Sequence, residues 1–255
     1  MVDVTVEPVV EPHTEFAAGS IAAGIAVVVL VTAILLLIKF LRSQSKNTFL
    51  IAGLSDSGKT LIFTKLISDE FELQTYTSLK ENVYDKFLSP NGTALRIVDY
   101  PGAERLRQGL FDTWLSKEVN TIRGIIFVID SATFNKKVRD VAELLYDVIF
   151  QLCKSGRRNT PLLIACSKQD NTLAKSEKAI RESLEREFGL INNSRAAALS
   201  STEGDTNSRV LYDSGDDEEF TWDDLRLKDC VFLPVSATEG ENYNLAEVRA
   251  WIDKH

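Results

Sequence analysis

The segment GLSDSGKT at residues 53–60 constrains the fold more than any other part of the chain. It matches the pattern GxxxxGK[ST], and it lies between the apolar run FLIAGL and the helical pattern LIFTKLISDEF. A glycine-rich turn between a strand and a helix lets backbone N–H groups point inwards at the positive end of the helix, where they bind phosphate. The sequence therefore predicts a phosphate-binding loop after the first strand.

The residues of this loop have specific expected roles. Lys59 is expected to reach the β- and γ-phosphates of a nucleotide, and the Thr60 hydroxyl is expected to bind Mg²⁺. The predicted nucleotide contacts in this segment are Gly53, Leu54, Ser55, Asp56, Ser57, Gly58, Lys59, Thr60 and Leu61.

Strand-like and helix-like segments alternate along the rest of the chain. Apolar runs typical of buried strands occupy residues 49–54, 95–100, 124–130, 161–167 and 230–237. NVYDKFL, SPNG and TALRIVDY together predict a hairpin, which adds one antiparallel strand. This alternation predicts an α/β domain over residues 49–255, with a mostly parallel six-stranded sheet covered by helices on both faces. The polar, aperiodic segment 192–219 predicts a mostly disordered insert.

An uncharged apolar stretch runs from Phe16 to Ile38. As a helix it is long enough to cross a hydrocarbon core of about 30 Å, so we predict a transmembrane helix over 16–41, followed by a linker over 42–48. A cleaved signal peptide would need a basic start and a shorter apolar region. A core helix would be apolar on one side only.

The charges beside this stretch predict its orientation. Lys39, Arg42 and Lys46 follow it, whereas the charged residues before it are acidic. Because positive flanks stay on the cytoplasmic side, residues 1–15 should form a short lumenal segment and the globular domain should be cytosolic. Three widely spaced cysteines favour reduced thiols in that domain. The net charge of −8 argues against direct binding of nucleic acid.

A second motif predicts which base is bound. Ser167, Lys168 and Asp170 belong to the segment SKQD, which follows a later strand at the sheet edge where ligands bind in such folds. An ionised Asp170 can accept hydrogen bonds from the N1–H and the 2-amino group of guanine, whereas adenine would leave it unpaired. Lys168 is expected to lay its methylene stem across the base.

The segment DYPG at 99–102 is expected on the γ-phosphate side of the site. Asp99 would hold Mg²⁺ through water, the Gly102 N–H would contact the γ-phosphate, and Pro101 would stiffen the corner. A second magnesium-binding hydroxyl is expected between the first helix and the hairpin. Thr75 is the first choice there, with Thr77 and Ser78 as alternatives. The predicted nucleotide contacts of this segment are Gln74, Thr75, Tyr76 and Thr77.

Residues 47–255 resemble a small GTPase of the Ras/Arf superfamily, and the resemblance implies the P-loop GTPase fold with GTP and Mg²⁺ as cofactors. SKQD is similar to the NKxD motif of that superfamily. Ser236 and Ala237, in the segment SAT after the last strand, are similar to its SAK-type loop, whose backbone N–H contacts the 6-keto group of guanine. Ser167 replaces the asparagine of NKxD. Because its hydroxyl is shorter, we expect a poorer bridge to the phosphate loop and weaker guanine binding without loss of specificity.

The apolar N-terminal stretch, the phosphate loop, the DYPG corner and the long insert together resemble one family within this superfamily, the beta subunits of the signal recognition particle receptor. This resemblance implies a single-pass, membrane-anchored GTP-binding protein of the endoplasmic reticulum that supports co-translational protein targeting. It also implies that the partner is the receptor's alpha subunit, bound through its N-terminal domain in a GTP-dependent way. An Arf-like switch in membrane trafficking with partner-stimulated hydrolysis is the alternative.

Two positions favour slow hydrolysis of the nucleotide. Ala103 replaces the glutamine that orients the attacking water in Ras-type proteins. Ser55 stands where glycine is common in those proteins, and its side chain would crowd an incoming arginine. We therefore assign no catalytic residue and expect a GTP-bound scaffold. A GTPase completed by groups from a partner is a second hypothesis, and a membrane-fixed P-loop kinase or ATPase, which should lack the SKQD base reader, is a third.

Overall fold

The computed structural model describes residues 24–36, 46–68, 78–90, 92–200, 210–212, 220–238 and 244–255. The chain divides into two compact units, Met1–Gln44 and Ser45–His255. In the first unit, residues 24–36 form an exposed helix. A search of the described residues finds no helix that is both long and apolar enough to span a membrane. The remainder of the predicted span 16–41 and the predicted segment 1–15 lie outside the described residues, so the membrane anchor stays a prediction.

Six strands of the second unit form one sheet. They are β1 (Thr48–Ala52), β2 (Asn82–Leu88), β3 (Ala94–Asp99), β4 (Ile122–Asp130), β5 (Leu162–Ser167) and β6 (Cys230–Pro234). Their order across the sheet is β2-β3-β1-β4-β5-β6. β2 pairs with β3 antiparallel, and the other described strand pairs are parallel. The predicted hairpin and the mostly parallel six-stranded sheet are confirmed.

Helices connect these strands. They are α1 (Lys59–Ile67), an irregular segment α2 over 104–117, α3 (Phe134–Lys154), α4 (Glu177–Ser200) and α5 (Ala246–Lys254), with a short 3₁₀ turn at Trp222–Leu225. α2 begins as a 3₁₀ turn, continues as one α-helical turn and ends as a π-helix over Leu110–Lys117. Its sequence pattern predicted only a helix. π-Helical turns are uncommon and are frequently found at functional sites.

Apolar side chains cover the sheet on both faces. In β1 the successive residues alternate between two clusters, with Leu50 and Ala52 in one and Phe49 and Ile51 in the other. The first cluster includes side chains of α3 and α4, and the second includes side chains of α1 and α5. Burial on both faces is the property expected of parallel strands. Because both faces of the sheet are buried, the polar residues of the site lie at the carboxyl edge of the sheet.

The predicted start of the insert at residue 192 is wrong, because α4 continues through Ser200. Asn192 is fully buried, and its side-chain oxygen accepts hydrogen bonds from the Tyr146 hydroxyl at 2.6 Å and the Leu211 N–H at 3.1 Å. Its amide nitrogen donates to the Tyr212 carbonyl at 3.1 Å. The polar sequence that suggested a loop therefore contains a buried, hydrogen-bonded amide. The insert residues 201–209 and 213–219 lie outside the described residues.

Replacing Tyr146 with phenylalanine should test this buried contact. The change removes the hydroxyl that donates to Asn192 and accepts the Leu211 N–H at 2.9 Å. Leaving such groups unpaired should lower the free energy of unfolding by about 1–3 kcal/mol, measured by urea denaturation. Tyr84→Phe, on the half-buried strand β2, is the matched control and should change it by less than about 0.5 kcal/mol. Equal stability of Tyr146→Phe and the unmodified protein would contradict a stabilising role for the hydrogen bonds of the Tyr146 hydroxyl.

Candidate nucleotide-binding site

The loop between β1 and α1 has the backbone conformation that its glycines predict. Gly53 has φ of +143° and Gly58 has φ of +93°, both in the region that favours glycine. A side chain at Gly53 would also collide with the carbonyl oxygen of Val128 on β4. Gly58 immediately precedes α1, so the loop ends at the positive end of a helix. The arrangement fits the predicted phosphate-binding loop.

Lys59 lies inside this loop with only 5% of its surface exposed. Its Nζ donates to the Leu54 carbonyl oxygen at 2.6 Å and lies 3.4 Å from the Ser57 hydroxyl. Burial lowers the pKa of Lys59 to about 8, although the charges of Asp99 and Asp56 act in the opposite direction. Because a buried ammonium bonded to neutral groups is poorly compensated, an anion such as phosphate would stabilise its charged form.

A buried carboxylate and two hydroxyls meet beside Lys59. The Thr60 hydroxyl donates to Asp99 Oδ2 at 2.7 Å and lies 3.2 Å from the Ser78 Oγ. Asp99 is fully buried, and its Oδ1 has no hydrogen-bond partner among the described residues. Burial raises the pKa of Asp99, while hydrogen bonds from Thr60 and Asn82 and the charge of Lys59 oppose the rise. A buried carboxylate oxygen without a partner is unfavourable unless a cation or a water meets it.

These oxygens fit the requirements of Mg²⁺. Magnesium takes oxygen ligands at about 2.1 Å in octahedral geometry, so two adjacent ligands lie about 3 Å apart. The separation of the Thr60 and Ser78 hydroxyls is close to that value. Asp99 Oδ1 lies in the same cluster with its hydrogen-bonding capacity unused.

Ser78 is the hydroxyl from the segment before β2 that the structure places at this corner. It was an alternative to Thr75 in the sequence interpretation. The predicted contacts Gln74, Thr75, Tyr76 and Thr77 lie outside the described residues, so their roles stay predictions.

The base-reading end of the site lies after β5 and β6. The Ser236 hydroxyl donates to Asp170 Oδ1 at 2.8 Å. Partial burial acts to raise the pKa of Asp170, but hydrogen bonds from Ser236, its own backbone and Thr238 outweigh it and lower the pKa. The carboxylate is therefore an ionised acceptor, as guanine recognition requires. Ser236 and Ala237 are both buried beside it.

Lys168 connects the base-reading end to the phosphate loop. Its Nζ donates to the Asp56 carbonyl oxygen at 2.7 Å and to the Asp130 carboxylate at 2.8 Å. The stem of the side chain therefore extends from the end of β5 to the loop, and its predicted contact with the base stays a prediction. Its φ of +61° is unusual for a residue with a side chain, which is typical of functional sites.

The expectation that Ser167 would bridge poorly to the phosphate loop is wrong. Its Oγ lies 2.6 Å from the carbonyl oxygen of Ser57 and 2.9 Å from that of Ile129. A Cβ built at Gly58 would lie 3.7 Å from Ser167 Oγ, which is an ordinary contact, so the positive φ and not a lack of space favours glycine there. The short hydroxyl of Ser167 reaches the Ser57 carbonyl oxygen because the backbone at the end of β5 lies close to the phosphate loop. The reason for expecting weaker guanine binding is therefore removed.

The DYPG corner packs directly on the phosphate loop. A side chain at Gly102 would collide with the backbone of Leu54 and Ser55, so only glycine fits this approach. Between the loop, Pro101, Gly102 and Lys168 lies an open cavity of about 280 Å³. Lys59, Thr60 and Gly102, which were predicted to contact the phosphates or Mg²⁺, line this cavity together with Ser78.

Two residues of the site were missed by the sequence interpretation. Asp130 ends β4, accepts the backbone N–H groups of Ala132 and Thr133, and pairs with Lys168. The sequence signal for Asp130 was its place at the end of an apolar run, which Asp99 shares, but Asp130 lacks the Pro-Gly that follows Asp99. Asn82 donates to Asp99 Oδ2 at 3.0 Å from the neighbouring strand. Asn82 lies opposite Asp99 because of the strand register of the hairpin, and the sequence pattern predicted the hairpin without its register.

The phosphate loop after β1, the DYPG corner at the end of β3 and the base-reading carboxylate after β5 define a P-loop protein of the small-GTPase class. The family profile described as "Signal recognition particle receptor beta subunit" matches residues 44–229. The rat protein "Signal recognition particle receptor subunit beta" is 36% identical over 243 residues, covering 90% of this chain and 86% of the relative. The chain belongs to the family of signal recognition particle receptor beta subunits.

Solved structures agree with this membership. "The Structure of the Mammalian SRP Receptor" contains a chain that is 34% identical, with a TM-score of 0.64 and coverage of 81% of this chain and 98% of that chain. The Chaetomium thermophilum protein has been solved as "SRb-GDP-Mg" and as an "SRb-GTP/SRX complex", with TM-scores of 0.61 and 0.65. These two structures are 21% and 19% identical to this chain in sequence. They cover 84% and 82% of this chain and 99% of the solved chains. At these identities the likeness shows the shared fold.

Replacing Asp170 with asparagine should shift base preference from guanine to xanthine. The amide offers a donor to the 2-keto group of xanthine, whereas it can no longer accept both guanine N–H groups. The affinity for GTP should fall about 100-fold or more and that for xanthosine triphosphate should rise, measured by equilibrium competition. Asp85→Asn, on the outer strand β2, is the matched control. Unchanged GTP affinity in Asp170→Asn would refute the assignment of this carboxylate.

Proposed function

We propose that this chain is the GTP-binding subunit of a signal recognition particle receptor and binds the alpha subunit in a GTP-dependent way to support protein targeting to the endoplasmic reticulum. The main support for the proposal is that Lys59, Asp99 and Asp170 lie with the phosphate loop at one edge of the sheet. The chain also belongs to the family of receptor beta subunits. An Arf-like role in membrane trafficking is less well supported, because the family match is to receptor beta subunits.

Guanine is the base that the site fits best. Asp170 is held as an ionised acceptor by Ser236, and a backbone N–H of the buried segment at Ser236 and Ala237 would meet the 6-keto group. Lys168 holds its stem between this end and the phosphate loop, where a flat base can stack on it. Adenine would leave the carboxylate without a donor.

The phosphates and Mg²⁺ would be held in the cavity beside the phosphate loop. Lys59 and the backbone N–H groups of the loop would bind the β- and γ-phosphates. Thr60, Ser78 and Asp99 would hold Mg²⁺, with Thr75 as the remaining alternative for the third group. When bound, Mg²⁺ supplies positive charge that neutralises the phosphate oxygens.

The arrangement supports nucleotide binding better than rapid hydrolysis. Ala103 offers no group to orient a water, and the corner before it is fixed by the contact of Gly102 with the loop. Glu104 begins the 3₁₀ turn and is exposed, and a carboxylate near phosphate oxygens would repel them. We propose slow intrinsic hydrolysis that a partner completes or accelerates.

Nucleotide and partner would be coupled through the two segments that border the cavity. Ser78 belongs to the segment before β2, and Gly102 to the corner before α2. A bound γ-phosphate and Mg²⁺ would hold both segments in one arrangement, and the surface that they form would bind the alpha subunit. The C. thermophilum relative, solved as a GTP-form complex with SRX, supports this view. We further propose that residues 16–41 anchor the chain in the membrane with the domain in the cytosol.

Replacing Thr60 with asparagine should uncouple the partner from the nucleotide. The variant loses a magnesium-binding hydroxyl and the hydrogen bond to Asp99, so it should favour GDP or empty states. Affinity for the N-terminal domain of the alpha subunit, measured by titration calorimetry, should be high with GTP in the unmodified protein and fall at least about tenfold in Thr60→Asn.

A substitution at Thr64 provides the control for the Thr60→Asn experiment. Thr64→Asn lies one turn further along α1, where the threonine hydroxyl donates to the Leu61 carbonyl oxygen, and it should leave the partner affinity near its normal value. Equal affinity of the unmodified protein in its GTP, GDP and nucleotide-free states would contradict GTP-dependent binding and leave the nucleotide as a structural component.

A further inference from the structure

Four side chains form a closed ring of hydrogen-bond contacts at the magnesium corner. Thr60 Oγ1 donates to Asp99 Oδ2 at 2.7 Å, and Asn82 Nδ2 donates to the same oxygen at 3.0 Å. Asn82 Nδ2 also lies 3.2 Å from Ser78 Oγ, which in turn lies 3.2 Å from Thr60 Oγ1. Asn82 is the member of this ring without an assigned role.

The hairpin fixes where Asn82 lies. It begins β2 and is the direct cross-strand partner of Asp99 in the antiparallel pair with β3. Directly opposed residues on one sheet face have side chains close enough to interact. The amide is therefore directed at the carboxylate by the backbone pairing of two strands.

Both side-chain hydrogen bonds that Asp99 accepts from described residues go to the same carboxylate oxygen. Thr60 and Asn82 bind Oδ2, whereas Oδ1 is buried and has no partner in the described part of the chain. Two donors on one oxygen fix the rotation of the carboxylate. The other oxygen is thereby held available for a cation or for a water bound to it.

The amide group is well suited to this task. Its nitrogen carries two protons, one for Asp99 and one for Ser78, which a hydroxyl could not supply together. An aspartate at this position would place a second carboxylate against Asp99. The amide also links the segment before β2 to the DYPG corner, because Ser78 lies in the first and Asp99 begins the second.

We infer that Asn82 is a positioning residue for Mg²⁺, holding Asp99 and Ser78 in the arrangement that the ion requires. This inference rests on the proposed nucleotide function. Groups that orient metal ligands in this way are important for affinity, and their removal typically weakens metal binding about 10–100-fold. Asn82 has no expected contact with the phosphates, so its effect should be confined to the ion.

The test measures release of a fluorescent GDP derivative from the full chain in detergent as free Mg²⁺ is varied. In Asn82→Ala the Mg²⁺ concentration that half-maximally slows release should rise about tenfold or more, whereas the release rate in excess EDTA should stay unchanged. Asn82→Leu, which has similar size and no donors, should show the same shift. Lys86→Ala, an exposed residue on the same strand, should match the unmodified protein in both conditions.

Three outcomes would overturn the inference. Unchanged Mg²⁺ dependence in both Asn82 variants would show that the amide does not position the ion's ligands. A similar increase of the release rate in EDTA and in Mg²⁺ would show a general structural role. Failure of the unmodified protein to bind the GDP derivative would refute the proposed function and, with it, this inference.

Discussion

The close approach of the phosphate loop to the ends of β4 and β5 is the constraint on which the rest of the site depends. Gly53 leaves space for the Val128 carbonyl of β4, and the Ser167 hydroxyl of β5 reaches the Ser57 carbonyl oxygen of the loop. Lys168 adds a second connection from β5 to the loop through Asp56. These contacts join the phosphate-binding and base-reading parts into one surface, and any larger residue at Gly53 would separate them.

The buried charges of the site explain why a nucleotide and a metal ion suit it. Lys59 is buried against neutral groups, and Asp99 is buried with one oxygen unpaired in the described structure. Such groups destabilise a fold unless a ligand compensates them. A bound phosphate and cation would supply that compensation and add to stability by mass action. The site thus favours the ligand-bound state of the domain over the empty one.

Much of the fold and of the site could be predicted from the sequence, because both depend on local patterns. Apolar runs located the strands, and the loop motif placed Lys59 and Thr60. The errors arose where long-range contacts decide. Asn192 looked like the start of a loop because its partners, Tyr146 and Leu211, are distant in sequence. The bridge from Ser167 depends on how closely two backbones approach, and the position of Asn82 depends on strand register. Neither the backbone distance nor the strand register can be predicted from the type of side chain alone.

The identity of the nucleotide that co-purifies with the protein tests the central claim most directly. The full chain is purified in Mg²⁺ without added nucleotide, then denatured, and the released nucleotide is separated by anion exchange and quantified against protein. The account predicts GTP or GDP at close to one equivalent, because Asp170 selects guanine while Lys59 and the magnesium corner hold the phosphates. Adenine nucleotide, or protein that binds no guanine nucleotide even when it is supplied, would contradict it.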